Sequence, residues 1–98
     1  MFILTKNTNL KERVEKQKKK IIKRDVMEYK RKIIKEFKRA IKNGETKISV
    51  KISKRDVKFD EDVANALLDY FLKNDKYKDI EVKLTQLYNY HLELKIKE

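Results

Sequence analysis

Six basic side chains recur at a spacing suited to electrostatic work: Lys20, Arg24, Arg31, Lys35, Lys38 and Lys42. At about 100° per residue on an α-helix they fall within about 40° of one line, a ridge roughly 33 Å long. A row of ammonium and guanidinium groups on that scale neutralises phosphates and releases the counterions of a polyanion. The competing reading is a solvated outer face, because the side of a helix opposite its buried stripe is polar in most proteins. The ridge is mostly lysine, which acts as a point charge, so any nucleic-acid contact is expected to be weakly sequence-specific.

Other chemistry finds little support. His91 is the only histidine and the chain has no cysteine, so a zinc site lacks its usual ligands. Asp60, Glu61 and Asp62 are consecutive; on a helix they point in different directions, and an acidic first turn accounts for them. The single glycine leaves no glycine-rich phosphate clamp. No nucleophile, base and orienting group can be assembled, so the chain is expected to be nonenzymatic, with no catalytic residue, cofactor or metal.

The net charge of +11 is not evenly spread: residues 1–44 hold 16 Lys and Arg against 5 Asp and Glu, and residues 45–98 hold 11 against 11. A lysine-rich codon bias acts on the whole chain alike, so the concentration in the first half points to a polyanion or an acidic partner there. The run KQKKKIIKR at residues 16–24 is its densest part, with six basic residues in nine. In size and in its Lys-, Ile-, Asn- and Tyr-rich composition the chain resembles small accessory proteins of phages and mobile elements. That resemblance implies, as an alternative function, an interaction or inhibitor module that docks on a host protein complex.

These residues must be positioned by regular elements. Asn9-Leu10-Lys11-Glu12 has the form of a capping box, and no glycine or proline follows until Asn43-Gly44, which supplies a helix stop. One long basic helix is therefore expected over residues 10–43, an arm, preceded by a tail at residues 1–9. Ile22, Val26, Tyr29, Ile33, Phe37 and Ala40 form its core-facing stripe. Leu10, Val14 and Ile21 lie about 120° from that stripe. Either the helix bends near Lys18-Lys19-Lys20, or these three present a separate partner-binding seam, which could also pair two copies. Asp25 and Glu28, and Glu36 with Lys32 or Arg39, read as members of intrahelical ion pairs.

Past Gly44 the period changes from helix to strand. Ile48, Val50 and Ile52 alternate with polar residues, as do Ile80, Val82 and Leu84, and again Tyr88, Tyr90, Leu92, Leu94 and Ile96. Between the first two lies a helix with Val63, Ala66, Leu67, Tyr70 and Phe71 on one face and Asp60 as its expected N-cap. Thr85-Gln86-Leu87 should join the last two strands as a hairpin. Residues 44–98 thus read as a β-α-β-β domain sharing its core with the second half of the first helix. The expected fold is α+β in two layers, with a three-stranded mixed sheet and helices on one face. The last strand is placed in the middle, antiparallel to both neighbours, and a right-handed crossover makes the outer two parallel to each other. The absence of cysteine and the brevity of the apolar opening Met1-Phe2-Ile3-Leu4 fit a cytoplasmic protein with no membrane span.

Overall fold

A computed structural model describes residues 2–97, with side chains from Leu10 onward. The first helix, α1, runs over Phe2–Lys42 without interruption. It begins upstream of the expected start, so Asn9 lies inside a helix and not at its end. Nor does the lysine run at residues 18–20 interrupt it: Lys is a good helix former, and nothing there removes a backbone donor. A helix of this length spans about 60 Å, and the molecule measures 64 × 29 × 18 Å. Its radius of gyration is 17.1 Å, against about 13 Å for a compact domain of this size. The excess comes from the first half of α1, which extends beyond the globular part as a rod.

The other end of α1 is closed by glycine. Gly44 adopts φ +81, its N–H donates to Ile41 O at 3.0 Å, and the Glu45 N–H donates to Ala40 O at 2.8 Å. This pair of bonds satisfies carbonyls the last turn would leave open, and it requires the left-handed conformation that glycine adopts without strain.

Strand β1 covers Lys47–Ile52, helix α2 covers Val57–Lys73, β2 covers Ile80–Gln86 and β3 covers Tyr90–Ile96. The α2 N-cap is Asp56, whose carboxylate accepts from the Phe59 N–H at 3.0 Å. Asp60, expected in that role, sits one turn later and is buried; its Oδ1 accepts from the Arg55 N–H at 3.0 Å. After α2, Asn74 caps a short 3-10 turn at Asp75–Tyr77, where Tyr70, Phe71 and Tyr77 pack with ring centroids 5.0–6.1 Å apart.

The fold is α+β, and the sheet order is β1-β3-β2. Every hydrogen-bonded pair is antiparallel, with Val50 opposite Leu92 opposite Leu84, and Ile48 opposite Leu94 opposite Val82. The expected parallel relation between β1 and β2 survives only as a shared direction: β3 separates them, so the sheet is antiparallel and not mixed. Both helices cover the same face, α1 over β1 and α2 over β3 and β2. Ile33 and Phe37 of α1, Leu67 and Phe71 of α2, and Ile52, Leu92 and Leu94 of the sheet are buried together. The opposite face carries Lys47, Ser49, Lys51, Glu81 and Lys83 to solvent. Tyr88, expected on the inner face of β3, is 94% exposed at the hairpin tip beside Leu87, because the strand ladder stops at Tyr90.

Candidate nucleic-acid interface

The six ridge cations all lie on the exposed side of α1. The same helical period that turns Ile33, Phe37 and Ala40 into the core turns Arg31, Lys35 and Lys38 outward. Among the described residues no carboxylate lies within ion-pair distance of Lys20, Arg24, Arg31, Lys35, Lys38 or Lys42. Their charges are therefore not spent on internal contacts. A shallow groove on this side is lined by Lys20, Lys23, Arg24, Met27, Glu28 and Arg31, where the aliphatic stems of the cations flank the exposed Met27 and the one carboxylate, Glu28, is bonded to Lys54.

The direction of the ridge is fixed by a polar joint that sequence reasoning missed. Asp25 is only 1% exposed. Its two oxygens accept from Arg55, Oδ2 from Nε at 2.5 Å and Oδ1 from Nη2 at 3.1 Å, while Lys54 Nζ stands 3.4 Å from Oδ1. Lys54 also bonds Glu28, and the Ser53 N–H donates to the Tyr29 hydroxyl at 3.3 Å. Asp25 and Glu28 are thus paired across to the loop between β1 and α2, and not along α1 as their spacing suggested. Glu36 forms no ion pair among the described residues. The Arg55 hydrogen bonds hold the Asp25 carboxyl below its ordinary range, outweighing the opposing effect of burial. The bond to Glu28 raises Lys54 in turn. On α1's other flank Lys30 Nζ lies 4.0 Å from the centre of the Tyr70 ring, a cation–π contact to α2.

The seam residues differ from the stripe. Leu10 and Val14 are 55% and 53% exposed, and Ile21 is half-buried where the rod meets the body. Where α1 and α2 diverge, a cleft of about 500 Å³ is lined by Lys18, Lys19, Ile22, Glu61 and Asp62, among others. His91 lies on the open sheet face opposite Lys51 and Thr85. Among the described residues no three His, Asp or Glu side chains come together as a metal site. None of the described helices is long and apolar enough to cross a membrane.

Fold and surface together define a two-layer α+β domain that carries a projecting cationic helix. No family model, curated protein or solved structure matches this chain.

Proposed function

We propose that this chain is a nonenzymatic accessory protein that binds nucleic acid, or a nucleoprotein complex, through α1 and with weak sequence specificity. One observation carries the reading: six cations stand in line on the outer face of one uninterrupted helix, and among the described residues none of them has a carboxylate within ion-pair distance. Like charges at Lys20–Arg24, Arg31–Lys35, Lys35–Lys38 and Lys38–Lys42 each disfavour the helix by about 0.2–0.5 kcal/mol. The row therefore works against the element that bears it, and a bound polyanion relieves that repulsion. Phosphates along a duplex face are the groups the ridge fits, and lysine in this role positions without reading base edges.

Fluorescence anisotropy with generic duplex DNA and duplex RNA at two salt concentrations tests the proposal. If all six cations engage phosphates, log affinity falls with log salt at a slope of about −5. Absence of binding at low salt overturns the reading. So does binding that survives charge reversal at Lys20, Arg24 and Arg31 with its salt slope unchanged.

A further inference from the structure

We infer that the free side of the rod, over Leu10, Val14 and Ile21, takes an acidic amphipathic helix from a different protein. The inference concerns a face of α1 about 70° from the ridge and does not depend on nucleic-acid binding.

The seam lies where α1 has left the sheet. Residues 10, 14, 17 and 21 follow the four-three-four spacing by which one helix packs on another, and Leu10, Val14 and Ile21 are apolar with Gln17 between them. Leu10 and Val14 remain more than half exposed. On α1 itself the charges beside the seam are uniform, Lys11 and Lys18 on one flank and Arg13 and Lys20 on the other, while Glu61 and Asp62 of α2 line the cleft on the far side of Lys18 from the seam. The two acids of this stretch, Glu12 and Glu15, point about 180° and 120° away from it. Lys18 Nζ reaches Glu15 at 3.9 Å with both side chains half exposed, a contact that a closer carboxylate would displace.

That arrangement decides the occupant. A second copy of this chain brings Lys and Arg against Lys and Arg in either orientation, since both flanks are basic, and like-charged flanks oppose pairing. A helix with leucine or isoleucine along its seam and glutamate on both flanks covers the apolar side chains and pairs every flanking cation. The contact is about three turns long, so affinity is expected to be modest, with charge steering the encounter.

The test uses the full chain and three labelled helical peptides of about three heptads. One has leucine at the seam with glutamate flanks, one leucine with lysine flanks, and one serine at the seam with glutamate flanks. The first should bind on the order of tenfold more tightly than either of the others near physiological salt. The double variant Leu10→Gln/Val14→Gln should lose about tenfold for that peptide. Its duplex-DNA affinity should stay within about twofold, because no charge is changed. Sedimentation should find the chain monomeric. No binding by the leucine–glutamate peptide overturns the inference, as does equal binding by the serine peptide or a dimer that the double variant dissociates. A failure of DNA binding alone leaves it intact.

Discussion

The two halves of α1 share residue types but not circumstances. From Ile22 to Lys42 an apolar stripe is covered by β1 and α2. From Leu10 to Ile21 the apolar residues sit on a different side of the helix and nothing covers Leu10 or Val14. Rotating a few side chains by about a third of a turn separates an element that holds the domain together from one that is available to others. The sharpest way to break this contrast is to shorten one apolar side chain in each half. Ile33 is fully buried, so Ile33→Ala should cost about 2–5 kcal/mol through lost burial and the cavity left behind. Val14→Ala should stay within about 0.5 kcal/mol, because alanine favours helix and no packing is lost. Urea denaturation of both variants measures the difference. Equal losses would mean that the first half is packed after all.

The boundary between the halves is the Asp25 joint, and it yields the next largest effect. Removing the carboxylate in Asp25→Ala leaves the Arg55 guanidinium, itself 28% exposed, facing a small void. We expect a loss of about 2–4 kcal/mol, somewhat below that for a fully buried pair because water reaches the arginine. The pH dependence has a definite sign. A carboxyl held below its ordinary range in the folded state contributes stability that is complete above about pH 4, the unfolded value, and is lost as pH falls through the folded one. Acid titration of wild type against Asp25→Asn should show the wild-type advantage shrinking only below that range. An advantage constant down to the acid transition would remove the joint from the account.

Legibility in the sequence follows the same division. The core stripe of α1 and the strand alternations were readable because each is a local period, and burial obeys it at Ile33, Phe37, Val50, Ile52, Leu92 and Leu94. The outward line from Lys20 to Lys42 was readable for the same reason, being the complement of the stripe. Asp25 was not. On the helical wheel it lies between stripe and seam, and its partner is thirty residues away; nothing local says that Arg55 will arrive there. Asp60 and Asp56 are one helical turn apart and either can cap a helix. The choice fell to Asp56 while Asp60 turned inward to satisfy the Arg55 N–H. At Tyr88 the alternation continues past the point where cross-strand pairing ends, and sequence period alone does not mark that point.

A smaller effect tests the junction where the helix hands over to the sheet. Beyond Gly44 and its two chain neighbours no atom among the described residues lies within 4 Å of the position a Cβ would take, so Gly44→Ala meets no obstacle from the rest of the fold. Its φ of +81 still places alanine in the left-handed region, at a cost of about 1–2 kcal/mol. A change in thermal midpoint of several degrees is expected. No change would show that the junction relaxes into another turn at no cost.

A small effect on stability is expected where a large effect on binding lies. Lys35 and Lys38 are neighbours on the ridge, and among the described residues neither has a carboxylate within ion-pair distance. Replacing both by glutamine removes three of the like-charge pairs, Arg31–Lys35, Lys35–Lys38 and Lys38–Lys42, and keeps a good helix former, so the fold should lose nothing and gain at most about 1 kcal/mol. If these cations serve only to keep the helix face wet, glutamine does so equally well and no other property changes. If they meet phosphates, the slope of log affinity against log salt should fall in magnitude by about 2, with folding unaltered. A variant that is no less stable but shallower in salt dependence separates a cationic surface that is used from one that is merely solvated. Paired with Ile33→Ala, it assigns the two faces of the same helix to different tasks.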